Sequence, residues 1–233
     1  MGNDHQQQPD IDGVKISTDM YAMAAGPQGN LTKEELLAEI QNGSIDTVVA
    51  AAVDGQGRLI GKRLPATYFV KSGSTAKYQL AEPLFIGDQA QNFPPDAEVC
   101  NWRTGFRNFL AQPDMRTLRR MPWEECSAVV ICDALNPQSH MELDYTPRAM
   151  LKKQVERLQQ RGYTAMMASE LEFYLFDETP KSAVKKFYRD LEASTMGHRA
   201  NLIGLTARDE PLMRKIRNGL EGAGVRMEGI MGR

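Results

Sequence analysis

Ala168-Ser169-Glu170-Leu171-Glu172-Phe173-Tyr174-Leu175-Phe176 is dominated by apolar and aromatic residues and carries no Gly or Pro. That composition predicts a β-strand. Side chains alternate faces along a strand, so Glu170, Glu172 and Tyr174 share one face and Leu171, Phe173 and Leu175 the other. Two carboxylates on one face lie roughly 7 Å apart. Buried together they would repel and raise each other's pKa unless a cation sat beside them. Mg²⁺ is a hard cation that takes oxygen ligands and shares its coordination sphere with phosphates. Spacing alone leaves two readings open: one wall of a two-metal phosphoryl-transfer site, or a half-exposed strand with solvated glutamates.

Working outward, four other segments stand in fixed order around this stretch. Upstream is Pro113-Asp114-Met115-Arg116-Thr117-Leu118-Arg119-Arg120-Met121-Pro122-Trp123. Between the two lie Ala128-Val129-Val130-Ile131-Cys132-Asp133 and the helix opening Tyr145-Thr146-Pro147-Arg148. Downstream is Ile216-Arg217-Asn218-Gly219-Leu220-Glu221-Gly222-Ala223-Gly224-Val225-Arg226-Met227-Glu228-Gly229. The ordered set, with Glu170 to Phe176 as the first metal-binding strand, resembles the N-terminal portion of the glutamine synthetase family. The resemblance covers about residues 31–233.

Composition sets the outer bounds. The chain has 233 residues, is 42% hydrophobic and 25% charged, and carries a net charge of −2. These values fit a globular protein and offer no basic field for nucleic acid or an anionic membrane. No apolar run approaches the roughly 20 residues that span a bilayer, and no secretory leader is expected. The three cysteines, Cys100, Cys126 and Cys132, form no C-x-x-C pair. Reduced thiols in a cytoplasmic protein are the expectation. His5, His140 and His198 show no ligand spacing, and no Walker or dinucleotide-binding glycine motif occurs.

In chain order, residues 1–29 carry Gln6-Gln7-Gln8 and no sustained period, and read as a mobile tail. Thr32 and Glu35 have capping-box spacing at the start of a helix that Gly43 ends. Two strands, Ile45 to Val53 and Arg58 to Leu64, flank the turn signal Asp54-Gly55-Gln56-Gly57 and form a hairpin. A short helix and a polar loop follow through residue 80, and residues 81–107 are loop with short strands. Pro122 and Trp123 mark a boundary, after which Ser127 to Cys132 is a buried strand. Thr146 and Pro147 open a helix whose core face is Leu151, Val155 and Leu158, with Gly162 at its end. A weak helix spans Ser182 to Met196, a last helix runs from Thr206 to Glu221, and Val225 to Glu228 is a final strand.

The resemblance implies an α+β fold in three parts. Residues 1–29 are the tail, 31–121 a β-grasp domain, and 123–233 the first part of a glutamine-synthetase-type catalytic α/β domain, truncated. It implies that Glu170 holds the metal on the phosphate side and Glu172 the metal facing glutamate. Glu228 falls on the nucleotide side. The metals are Mg²⁺ or Mn²⁺, ATP is a substrate, and an amine attacks a γ-glutamyl phosphate. It implies assembly into a homo-oligomeric ring, each site shared between neighbouring subunits. No general acid or base and no substrate-binding residue is assigned.

Two departures from the family pattern qualify this. Where the family carries an aspartate that binds ammonium, this chain reads Asn101-Trp102-Arg103-Thr104-Gly105-Phe106-Arg107. The text is similar to the branch that joins glutamate to organic amines, and Trp102 offers a face for an alkyl or cationic amine. The family's next metal ligand would stand five residues past Glu228, where this chain has Arg233, its last residue. Two readings follow: the N-terminal portion of an ATP-dependent glutamate–amine ligase, inactive by itself, or a non-catalytic fragment that docks onto intact subunits.

Overall fold

The computed structural model describes residues 29–72, 77–94, 96–195 and 201–232. The expected tail lies outside the described residues, apart from Gly29.

The first helix, α1 (Lys33–Gln41), starts as its capping box requires. The Thr32 hydroxyl accepts from the Glu35 amide at 3.1 Å, and the Glu35 carboxylate accepts from the Thr32 amide at 2.7 Å. These two contacts satisfy helix-end donors that would otherwise lack partners. Strands β1 (Thr47–Val53) and β2 (Leu59–Pro65) pair antiparallel from Thr47 opposite Pro65 to Val53 opposite Leu59. Buried Asp54 closes their turn, accepting from the amides of Gln56 and Arg58 and from Arg58 Nε. Helix α2 (Ala66–Ser72) follows, then β3 (Tyr78–Ala81), a 3₁₀ turn (Glu82–Phe85) and a long loop. Next come β4 (Asn108–Pro113), β5 (Arg119–Arg120) and β6 (Ser127–Leu135).

The sheet runs β2-β1-β6-β4-β3, with β5 also on β6. Only β1 and β6 run parallel; every other pairing is antiparallel. β6 lies past the expected boundary at Pro122 and Trp123, yet it is the central strand. Both faces of β1 are buried, which matches its Val- and Ala-rich text. Val48, Ala50 and Ala52 face the main core with Leu36 of α1, Phe69 of α2, Phe109 and Val130. Val49 and Ala51 meet Met121 and Val129 on the other face.

Three expectations are corrected beyond the sheet. The helix α3 (Pro147–Gln159) forms, and Gly162 (φ +78°) follows it as predicted. Its stripe of Leu151, Val155 and Leu158 is not a core face, however: Leu151 is 60% exposed and no residue of α3 is buried. The side turned to the sheet carries Arg148 and Lys152, because carboxylates rather than apolar groups await it there.

The stretch 168–176 is not a strand. A strand needs a neighbour for its ladder. Here the pairing is one bridge, Phe176 opposite Ala193, beside bonds from the Ser194 amide to the Leu175 carbonyl and from Asp177 to Glu192. Leu171, Phe173 and Tyr174 are exposed. Val225 to Glu228 is likewise without strand pairing.

Between and after these lie α4 (Pro180–Lys185), α5 (Ile203–Thr206) and α6 (Glu210–Gly222). α6 returns to the sheet unit at its end. The Asn30 amide donates to the Gly222 carbonyl at 2.6 Å. Gly224 (φ +72°) lets the chain turn there, and a Cβ at that position would meet Asn30 Cβ at 2.7 Å.

The coarse expectation holds: a mixed sheet with helices, of the α+β kind, occupies the N-terminal part. Among the described residues no helix is long and apolar enough to cross a membrane.

Candidate functional site

Glu170 and Glu172 stand on the exposed, unladdered stretch after α3, and exposed Glu228 stands on the irregular segment after α6. Among the described residues no three His, Cys, Asp or Glu side chains group closely enough to hold a metal ion. The carboxylates of Glu170 and Glu172 are oxygen donors of the kind Mg²⁺ takes, but among the described residues they do not by themselves make up a two-metal centre.

What the structure does bring together are the other family-like segments. The Asp114 carboxylate caps a 3₁₀ turn (Met115–Thr117) and accepts from Arg116 Nε at 2.9 Å. Arg148, from the Tyr145–Arg148 segment, reaches back across the end of the sheet. Its Nη2 lies 2.6 Å from Asp114 Oδ2, and its Nε lies 2.7 Å from Asp133 Oδ1. Lys152, one turn on, bridges Asp133 at 3.2 Å and Glu142. Burial pushes the Asp114 carboxyl up, but Arg116, its amide and the Arg148 charge outweigh it, so the pKa ends below the ordinary value. One cation thus joins three motifs that are separate in sequence.

A second cluster lies under the loop that departs from the family pattern. Glu82 is 2% exposed. It accepts from the Tyr145 hydroxyl at 2.5 Å and from Arg107 Nη2 at 3.4 Å. Burial and the bond to Glu82 push the Tyr145 phenol up. Asn101, also buried, folds the loop on itself, its Oδ1 accepting from the amides of Arg103 and Thr104. Trp102 meets Phe106 edge-on at 4.9 Å between ring centroids and is 82% exposed. The structural packing that buries most tryptophans is therefore not its role here.

Sequence reading missed both clusters. Asp114, Asp133, Tyr145 and Arg148 were visible as motif members, without a sign that they meet. Glu82, in a Pro- and Gly-rich stretch with no period, carried no signal at all.

Comparison with known proteins now bears on this geometry. Residues 144–232 match the sequence family described as "Glutamine synthetase, catalytic domain". The chain is 37% identical over 199 residues to a gamma-glutamylethanolamide synthetase of Streptomyces coelicolor, covering 85% of this chain and 43% of that protein. It is 30% identical over 190 residues to a glutamate–isopropylamine ligase of a Pseudomonas species, covering 81% of this chain and 41% of that one. The chain thus spans less than half the length of these relatives. A solved structure described as "Apo GmaS without ligand" superposes with a TM-score of 0.53 at 16% identity over 81% of this chain and 40% of that chain, a likeness of fold. Together with the ordered motifs, these matches make the chain similar to part of the glutamine synthetase family's ligases, with residues 144–232 matching the family's catalytic domain.

Proposed function

We propose that the intact protein to which this chain corresponds joins an amine to the side-chain carboxylate of glutamate at the expense of ATP, through a γ-glutamyl phosphate. The observation that carries this is the pair of relatives at 30% identity or more, both named for glutamate–amine products or substrates and both matched over more than four-fifths of this chain. An organic amine is favoured over ammonium. The segment where the family places its ammonium-binding aspartate carries instead an exposed Trp102 on a folded loop, a surface suited to an alkyl or cationic amine.

In this reading Glu170 and Glu172 are ligands for Mg²⁺ or Mn²⁺, and Glu228 faces the nucleotide. Bound metal would offset the charge that builds up as the phosphoryl group moves. The sheet of β1–β6 is read as the family's β-grasp unit, extended through β6, and supplies the face that meets a neighbouring subunit in a ring. A cytoplasmic setting accords with three unpaired thiols. The 233-residue chain alone is proposed to be inactive, because one carboxylate and water hold Mg²⁺ poorly.

A second reading, a non-catalytic piece that docks onto intact subunits, is favoured by one observation: the sheet unit packs its own core.

The test is ligation by the full-length product of the gene, followed as phosphate release and γ-glutamyl amide formation over a panel of amines. The expected result is a higher kcat/KM with an organic amine than with ammonium, abolished by Glu170→Ala with Glu172→Ala. Preference for ammonium would overturn the amine assignment. Absence of any amide would overturn the ligase reading. Turnover by the 233-residue chain above the same double-mutant control would overturn its proposed inactivity.

A further inference from the structure

We propose that Glu82 is a positioning residue, a buried lock that holds the 97–107 loop in one conformation and thereby presents Trp102 to a binding partner already ordered. Three chain segments meet at this carboxylate. Its own backbone amide donates to the Arg107 carbonyl at 2.9 Å, which continues the β3–β4 pairing past Ala81 and Asn108. Its side chain accepts from Arg107 and from the Tyr145 hydroxyl. Arg107 in turn donates to the Val99 carbonyl at 3.2 Å, so both ends of the loop are drawn to the same anchor.

Within the loop, Cys100 and Asn101 are buried, and the amides of Thr104, Gly105 and Phe106 all donate to the Asn101 carbonyl. The Asn101 side-chain amide donates to the Ala97 carbonyl at 2.7 Å. These bonds fold the segment around Asn101, and at its tip stands an exposed Trp102 buttressed by Phe106. Holding a recognition side chain in place before binding removes an ordering cost from the binding step. Tyr145 immediately precedes Thr146 and α3, so the same carboxylate ties the loop to the helix that leads into the Glu170–Glu172 segment.

A carboxylate this deeply buried is sustained only by its donors. Losing one of them should release the loop without opening the sheet.

The inference concerns how the loop is held and deepens the amine-ligase reading, on which only the identity of the partner rests. It is tested in the 233-residue chain carrying Trp123→Phe, which leaves Trp102 as the sole tryptophan. Glu82→Gln, Arg107→Lys and Tyr145→Phe are compared with Glu34→Gln, an exposed control on α1. The loss of one charge-assisted bond should speed hydrogen exchange at the amides of Thr104, Gly105 and Phe106 by about tenfold. Trp102 fluorescence anisotropy should fall, while exchange at residues 128–134 stays unchanged.

Equal acceleration at residues 128–134 would show that Glu82 merely stabilises the fold and would overturn the lock. So would wild-type exchange in the Arg107→Lys and Tyr145→Phe variants, which keep the Glu82 carboxylate and decide the matter should Glu82→Gln fail to fold. The ligase reading is tested separately by Trp102→Ala in the full-length protein, expected to narrow the preference for an organic amine over ammonium. An unchanged preference with an ordered loop would sink the amine role of Trp102 and leave the lock standing.

Discussion

Residues 29–146 and residues 163–232 are built from similar amino acids and end in different states. The first region buries Phe109, Leu36, Leu118 and Val130 almost completely between a six-stranded sheet and two helices. In the second, the buried residues among those described are Ala183, Ser194 and Ala223, all small, while Leu171 is 84% exposed and Phe173, Tyr174 and Ile203 stand open. Its internal ties are polar: Arg208 reaches Asp177 and the Ser194 carbonyl, each at 2.5 Å, and Ser194 reaches Asp209 at 3.3 Å. The difference shows that apolar text alone does not make a core. β1 is buried because β2 and β6 lie alongside it and α1 and α2 cover it, whereas among the described residues 168–176 has one bridge, Phe176 opposite Ala193, and stays exposed over most of its length. Surface ion pairs contribute little by comparison.

The largest effect that would sharpen this contrast is a pair of truncations. Phe109→Ala should cost about 3–5 kcal/mol and Leu36→Ala about 2–5 kcal/mol. Phe173→Ala and Leu171→Ala should each cost less than about 0.5 kcal/mol. The check is the midpoint of chemical denaturation, and a large loss at Leu171 or Phe173 would mean that the second region has a core after all.

Arg148→Ala comes next. It leaves Asp133 to Lys152 and Asp114 to Arg116, and should cost about 1–3 kcal/mol. Limited proteolysis should then cut α3 and the 163–176 stretch well before the sheet. Cleavage at wild-type rates would show that Arg148 does not fix the helix.

Acid should weaken the first region through its buried carboxylates. Burial raises the Asp54 carboxyl, but the Arg58 amide and guanidinium and the Gln56 amide outweigh it, and Asp114 behaves alike. Both folded pKa values therefore lie below the unfolded value of about 3.9. Their contribution is fully present above that pH and is lost as pH falls through the folded values. The unfolding midpoint should stay level from neutral pH down to about 5 and drop below about 4. Asp54→Asn with Asp114→Asn should flatten that drop, and an unaltered acid limb would refute the assignment.

Thr32→Ala, which removes one half of the α1 capping box, should cost about 1 kcal/mol. Its check is thermal unfolding followed by helical circular dichroism.

How legible the molecule was in its sequence follows the same division. The Thr32–Glu35 box, the Asp54–Gly57 turn and Gly162 were readable because each is settled within a few residues. The hairpin of β1 and β2 was readable from that turn and the apolar run before it, whereas the burial of both faces of β1 depends on β6 and the helices that cover it. The orientation of α3 was not readable, since its stripe of Leu151, Val155 and Leu158 looks like a core face until Asp114 and Asp133 are known to wait for Arg148. The strand expected at 168–176 depended on a distant neighbour that local text does not specify. Of the candidate site, the family-like carboxylates Glu170, Glu172 and Glu228 were named from their motifs, but their meeting in a metal centre is not a feature of the described residues. Glu82 was invisible because its importance lies wholly in long-range partners, Arg107 and Tyr145.

The central claim is that a sheet unit with its own core is followed by an unladdered segment on which stand Glu170 and Glu172, the carboxylates proposed to bind metal. Hydrogen exchange resolved along the 233-residue chain tests it most directly. Amides of β1, β4 and β6 should be protected to nearly the global stability, and those of residues 163–174 should exchange within about tenfold of an unstructured peptide. Protection of residues 168–174 equal to that of residues 128–134 would mean that the stretch is laddered in solution and would contradict the account.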